Sequence, residues 1–256
     1  MPVCVDTMLY LHKFRGDLNS LVAHCCGMLR NNLFPVYVFE GGPCPETTQQ
    51  QHLKKRKKKK KRVEVLSMVP PLKRLLHLTG IPVAYAQGYE ADIVCAYLCS
   101  SGTTRACLTE DVDILLHGAA MILSMKHDVL HVLTPGKVIG DLRITRTQLL
   151  SLACLLGNDY QEGPRIAAAE ALDLVIAHPE VDDLNRQLPR GAVDKKVHEL
   201  FDVSATPEVA DRVKHEVRPD LLPFDEVMRI VEADHQLRTL TFSNLHHLVA
   251  LRRRLP

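Results

Sequence analysis

The sequence predicts an α/β fold with a mainly parallel central sheet flanked by helices and a helical C-terminal part. Two observations carry this reading. Short apolar segments each run into an acid: Val3-Cys4-Val5 into Asp6, Pro35 to Phe39 into Glu40, and Ala106 to Thr109 into Glu110-Asp111-Val112-Asp113. Helical periodicity fills the intervals, and strands joined by helical crossovers make a parallel sheet whose functional crevice lies at the carboxyl ends of its strands.

The elements follow in order. A strand over Val3–Val5 precedes a mostly helical stretch from Met8 to Arg30, and a second buried strand spans Pro35–Phe39. Residues 41 to about 63 hold almost no apolar side chain and cannot enter a core, so they read as a loop or exposed helix. Periodicity resumes near Leu66 with Leu72, Leu75 and Leu76, then Gly80-Ile81-Pro82 leads to the extended piece Val83-Ala84-Tyr85. Glu90-Ala91-Asp92 opens an apolar helix, and Ile114 to Leu116 form a short one after the third strand. Met121–Met125 and Val129–Leu133 form a hairpin, the second strand closed by Pro135-Gly136. Thr147 to Gly157 is an apolar helix ending at Asn158-Asp159-Tyr160. Four more helices are expected downstream, near 167–178, 193–201, 224–233 and 244–253. The expected division is an α/β core over 1–160, with a basic insertion at 41–66, and a helical region over 161–256.

With 46% apolar and 24% charged residues in 256, the chain can bury one sizeable core. No apolar stretch reaches the ~20 residues of a membrane span, and no signal-peptide pattern follows Met1, so an intracellular address is expected. The eight cysteines show no CxxC pair and read as buried thiols. Cys95 and Cys99 share a helical face, but two thiolates without two more ligands make a poor zinc site. The net charge of +2 hides a segregation, because Lys54 to Arg62 carries nine positive charges and leaves 23 basic against 30 acidic residues elsewhere. A body that acidic repels a polyanion unless the basic run supplies attraction and bound cations offset the carboxylates.

Asp111 and Asp113, at i and i+2, are expected on one side of an extended segment, where they reach one ion or two neighbouring ones. Asp6 and Glu40 arrive beside them if their strands are neighbours. A single acid in such a place is ordinarily a helix cap or a solvated loop residue. Several acids at one sheet edge repel by several kcal/mol unless cations neutralise them. Oxygen-only ligands suit magnesium or manganese, and a pair of such ions supports phosphodiester hydrolysis without a protein nucleophile.

Val5-Asp6-Thr7 with Leu11-His12-Lys13, Pro35 to Gly41, Tyr89 to Asp92, Thr109 to Asp113 and Leu155 to Tyr160 together resemble the ordered motifs of the flap endonuclease/XPG family of structure-specific 5′ nucleases. The first and third blocks look closest to its exonuclease-one branch. The resemblance implies a PIN-like (XPG-type) fold, two Mg2+ ions with Mn2+ as a substitute, and cleavage of DNA near the junction of a duplex with a 5′ single strand or flap. It makes Asp6, Glu40, Glu90, Asp92, Asp111, Asp113 and Asp159 the metal-binding acids. Among these, Asp6 and Asp111 carry catalysis. His12 falls where the family stacks a side chain on the junction base, the alternative being a helix-surface histidine.

The chain also departs from the family pattern. It starts almost at the first strand, so the helical wedge expected ahead of it is reduced or missing, and Glu40 stands where aspartate is usual. The segment after Glu40 resembles a shortened arch. Ungapped counting places Thr47 and Lys54 at its two basic positions, so Lys54 is the expected catalytic cation, with Lys55 and Arg56 beside it on nucleic acid. A solvated run or nuclear-import signal is the alternative for the other lysines. After Asp159, Gly163 to Ala169 with Arg165 stands in place of a glycine-rich helix-two-turn-helix that binds duplex backbone; one glycine survives there. The leading function is a 5′ flap endonuclease or 5′–3′ exonuclease on DNA. An endoribonuclease resembling the viral host-shutoff nucleases, or a nucleic-acid-binding protein without activity, are the alternatives. Protein partners are not indicated.

Overall fold

The computed structural model describes residues 1–41, 65–126, 129–158, 160–164, 166–188, 193–202, 207–216 and 222–255. Its centre is a seven-stranded sheet, built from β1 (Pro2–Asp6), β2 (Phe34–Glu40), β3 (Val83–Ala86), β4 (Cys107–Leu108), β5 (Met121–Lys126), β6 (Val129–Leu133) and β7 (Val213–Glu216). The order is β6-β5-β4-β1-β2-β3-β7. The five inner strands run parallel, and β6 and β7 close the two edges antiparallel. The expected α/β architecture is therefore present.

Alternation along the strands separates two apolar layers. Val3, Val5, Tyr37, Phe39 and Leu108 face a layer containing α2 (Leu18–Arg30), α3 (Val69–Thr79), α12 (Phe224–Ala233) and α13 (Phe242–Leu251). Cys4, Val36, Val38 and Cys107 face α4 (Ala91–Ser100), whose Ile93, Val94, Cys95 and Leu98 are buried. A third cluster joins the end of α5 (Asp113–Leu116) to α7 (Arg146–Leu156), α8 (Ala168–Ala177), α9 (Val181–Gln187) and α10 (Lys195–Asp202). Two further helices complete the set, α6 (Pro135–Leu142) and α11 (Pro207–Arg212).

Local chemistry sets most element ends. The mostly helical stretch expected from Met8 to Arg30 consists of two helices, α1 (Thr7–Lys13) and α2. Arg15 and Gly16 take positive φ between them, and Asp17 caps α2 by accepting the N–H groups of Asn19 and Ser20. Pro70 and Pro71 lie in the first turn of α3, where their missing N–H groups cost nothing, and left-handed Gly80 ends the helix. Thr145 and Gln148 form a reciprocal capping box at the start of α7.

Pro135-Gly136 follows the end of β6 as expected and also opens α6, where Thr134 accepts from Lys137 N as its cap. One expectation is corrected. The region after residue 160 is not wholly helical, since Val213–Glu216 adds β7 to the sheet beside β3. Among its residues only Val213 is apolar and the other three are exposed, so β7 carries no alternating pattern that periodicity could detect. No helix among the described residues is long and apolar enough to cross a membrane.

A candidate metal centre at the carboxyl ends of the strands

The strand register brings the acids together. Asp6 ends β1 opposite Val38 of β2, and its neighbour Val5 pairs with Leu108 of β4. Glu40 therefore projects two residues beyond the end of β1, and residues 109–113 leave β4 on its other side. Burial is the dominant influence on Asp6, whose side chain lies at the mouth of the core. It raises the carboxyl to about 6, opposed by N–H donation from Leu9 and Met8 and reinforced by the charges of Asp111 and Glu40. Those three acids face one another.

Asp6 has a second task. Its Oδ1 accepts Met8 N at 3.1 Å and Leu9 N at 3.3 Å, capping α1. Asp111 is held in the same manner. Thr109 Oγ1 accepts Asp111 N at 3.1 Å, and Asp111 Oδ1 accepts Asp113 N at 3.0 Å. Among the described residues, nothing donates to the Oδ2 of Asp6 or of Asp111. One oxygen of each is thus fixed by backbone while the other has no donor among the described residues. The expected reason for the Asp111–Asp113 pairing is corrected by this geometry. Val112 is helical (φ −74, ψ −15), so a tight turn leading into α5, rather than alternation along a strand, sets the two side chains.

Glu90 and Asp92 come from the start of α4, Glu90 as the N-cap residue and Asp92 in the first turn, where the helix dipole favours negative charge. Tyr160 ties this group to the end of α7 by donating from its hydroxyl to Glu90 Oε2 at 3.0 Å. Burial raises the Tyr160 hydroxyl far above its ordinary range, followed by the charge of Glu90, its hydrogen bond, and the charges of Asp92 and Asp113. Glu90, Asp92 and Asp113 thus surround Tyr160, while Asp111 and Glu40 flank Asp6.

Several supporting residues were not foreseen. Asn158 Oδ1 accepts both Tyr160 N and Gln161 N at 2.9 Å, which shapes the turn carrying Tyr160. Arg146 donates to the carbonyls of Leu115 and Leu116, satisfying the C-terminal end of α5 and fixing the helix that carries Asp113. Gly41 lies so close to β3 that a Cβ there would stand 1.7 Å from Ala86 O. Lys13 pairs with Glu110 at the mouth, both side chains exposed, and His12 is exposed beside it on α1. The Asn-Asp-Tyr order hinted at the Asn158 turn; the contact from Tyr160 to Glu90, seventy residues apart, had no local signal.

Of the predicted site residues, Asp159, Lys54, Lys55, Arg56 and Arg165 lie outside the described residues. The other six acids come to one edge of the sheet. They are spread as two adjoining groups, and no three of the described carboxylates have oxygens all within 4.8 Å of one another. The donor set nonetheless fits a hard divalent cation, being carboxylate oxygen throughout, with a free oxygen on Asp6 and Asp111 and with mutual repulsion that a cation relieves.

Residues 80–159 match the XPG I-region, the interval that holds Glu90, Asp92, Asp111, Asp113 and Asp159. Human flap endonuclease 1 is 27% identical over 82% of this chain and 68% of its own length, and the Xenopus laevis flap endonuclease 1-A is 27% identical with the same coverage. Among solved structures, the flap endonuclease-1 of Methanococcus jannaschii superposes with a TM-score of 0.73 at 21% identity, covering 98% of this chain and 92% of that one. Human GEN1 in complex with Holliday junction DNA gives 0.72 at 21% identity, over 98% and 71%. The solved structures share the fold, and the matched region spans five of the seven acids read from sequence. The chain is thus similar to the flap endonuclease/XPG family, through the XPG I-region over residues 80–159 and through flap endonuclease 1 over most of its length.

Proposed function

We propose that this chain is a metal-dependent, structure-specific 5′ nuclease that hydrolyses phosphodiester bonds in DNA bearing a 5′ single strand or flap. The observation that carries the reading is the delivery of six carboxylates from β1, β2, α4 and the β4–α5 turn to one sheet edge. Two Mg2+ ions, with Mn2+ as a substitute, fit this set, Asp159 completing it as the seventh acid. When bound, the ions supply an activated water and stabilisation of the leaving oxygen.

The chain's own residues act around that chemistry. Backbone N–H groups at α1 and α5 hold Oδ1 of Asp6 and Asp111, so each carboxylate presents Oδ2 without reorganising. Tyr160 orients Glu90. His12, exposed on α1 near the crevice, is placed to stack on a base of the entering strand, and Lys54 is the cation assigned to the scissile phosphate. Lys55, Arg56 and Arg165 are assigned to the backbone of the nucleic acid, and the acidic body needs the Lys54 to Arg62 run to attract it. The same run fits a nuclear-import signal. The core is assigned to residues 1–160.

The decisive experiment replaces Asp111 by asparagine. Cleavage of a labelled 5′-flap DNA in magnesium should fall by several orders of magnitude while the fold is retained, because a ligand charge is removed where the transition state needs it. Near-normal turnover by a folded variant would end this reading. An unstructured RNA in the same assay separates the DNA nuclease from a ribonuclease on this fold.

A further inference from the structure

Two residues before Asp6 on β1, at Cys4, begins a second cluster of metal-ligating side chains that the nuclease reading does not use. The Sγ atoms of Cys4, Cys95 and Cys107 lie within 4.8 Å of one another, and all three residues are fully buried. Cys4 on β1 stands opposite Cys107 on β4 in the strand register, and Cys95 comes from α4, which packs across both strands. Cys99, one turn further along α4, places a fourth sulfur 3.8 Å from Cys4 Sγ.

These spacings match a thiolate shell. Three sulfurs no more than 4.8 Å apart have a common centre at most about 2.8 Å from each, against about 2.3 Å for a zinc–thiolate bond, so side-chain shifts of about 0.5 Å bring these three to bonding distance, and Cys99 must move further to join them. Tetrahedral ligands at that bond length stand about 3.8 Å apart, which is the separation of Cys4 and Cys99. Read alone, Cys95 and Cys99 lack two partners. The fold supplies them from β1 and β4. The contacts that a cation would replace are weak thiol donations, Cys4 Sγ to Ala106 O at 3.4 Å and to Cys95 O at 3.7 Å.

We infer that Cys4, Cys95 and Cys107 form a structural site for a thiophilic d10 cation, zinc, with Cys99 beside Cys4 as the fourth donor once its sulfur leaves Thr104 Oγ1. On binding, each ligating thiol gives its proton to solvent and its sulfur to the metal, so three or four protons leave per ion. The site is separate from the carboxylate centre in chemistry as well as place, because thiolates select zinc where carboxylates select magnesium. It cross-links the three elements that deliver Asp6, Asp111 and Asp92, and so fixes their spacing from below. The inference stands whether or not the chain is a nuclease.

The test uses the full chain expressed in zinc-supplemented medium. About one zinc per chain should survive dialysis into magnesium buffer, and replacement by Co2+ should produce an intense near-ultraviolet thiolate-to-cobalt charge-transfer band. Carboxylates cannot give that band. It should persist in a variant combining Asp6→Asn with Asp111→Asn and vanish in one combining Cys95→Ser with Cys107→Ser. If the serine variant does not fold, the wild-type band and the release of three or four protons per zinc decide the matter. Absence of the band in wild type, or zinc that leaves with the aspartate substitutions, overturns the inference.

Discussion

Asp6→Asn should make the metal-free protein more stable while removing its response to magnesium. The carboxyl of Asp6 rises from its ordinary 3.8 to about 6, chiefly through burial. A displacement of that size corresponds to about 3 kcal/mol of unfavourable free energy at pH 7, where the folded state must hold the charge. Asparagine removes the charge but keeps an Oδ1 able to accept from Met8 N and Leu9 N, so the cap on α1 survives. Alanine removes both charge and cap and forfeits about 1 kcal/mol of the gain.

The sign fixes the pH window. Because the folded pKa lies above the unfolded one, the penalty is absent below 3.8, grows as pH rises towards 6 and is complete above it. Denaturant unfolding in EDTA at pH 7 should place Asp6→Asn about 3 kcal/mol above wild type, or about 6–12 °C in melting temperature for a chain of this size. The advantage should shrink to nothing near pH 4. Millimolar magnesium should raise wild type and leave the variant unmoved, since the ion binds only the folded carboxylates. A variant no more stable than wild type in EDTA, or an equal magnesium shift in both, would refute the account of Asp6 as a strained ligand.

Three other outcomes follow from particular side chains. His24 is stacked on Tyr10 at 4.5 Å with no hydrogen-bond partner for its Nδ1, and burial, then the charge of Lys13, lowers it from 6.5 to about 4. Its stabilising contribution is complete above 6.5 and lost as pH falls towards 4, opposite in sign to Asp6, so Asp6→Asn should expose an acid slope of about 3 kcal/mol that His24→Leu abolishes. Gly41→Ala forces a Cβ to 1.7 Å from Ala86 O and should cost about 3 kcal/mol and most flap cleavage by displacing Glu40; wild-type melting and turnover would contradict the close packing. Lys54→Ala should lower single-turnover cleavage at saturating enzyme, whereas saturation should rescue Lys59→Ala. Rescue of both would reduce the basic run to a tether.

The sequence disclosed what depends on neighbours in the chain and withheld what depends on register. An apolar run ending in an acid is a local pattern, and it sufficed to find β1, β2 and β4 together with Asp6, Glu40 and Asp111. Motif order added Glu90, Asp92 and Asp113. The antiparallel strand β7 escaped because an edge strand with three exposed residues has no periodicity; its evidence is the pairing of Val213 to Glu216 with β3. The two-turn mechanism that aligns Asp111 with Asp113 escaped because spacing at i and i+2 is shared by strands and Asx-type turns, and only Val112's backbone distinguishes them.

The cysteines make the same point most sharply. Cys4 and Cys107 are 103 positions apart and each belongs to a strand whose other features announce a carboxylate centre, so nothing local marks them as partners of Cys95. The alternation that sends Val5 and Leu108 to one layer sends Cys4 and Cys107 to the other, against α4. The strand ends then turn acids towards solvent while the strand bodies turn sulfur inward. A parallel sheet therefore generates two chemically different sites from the same two strands, a hard oxygen set at its edge and a soft sulfur set in its core; Cys4 and Asp6 share a face, and two residues of strand, about 7 Å, keep them apart.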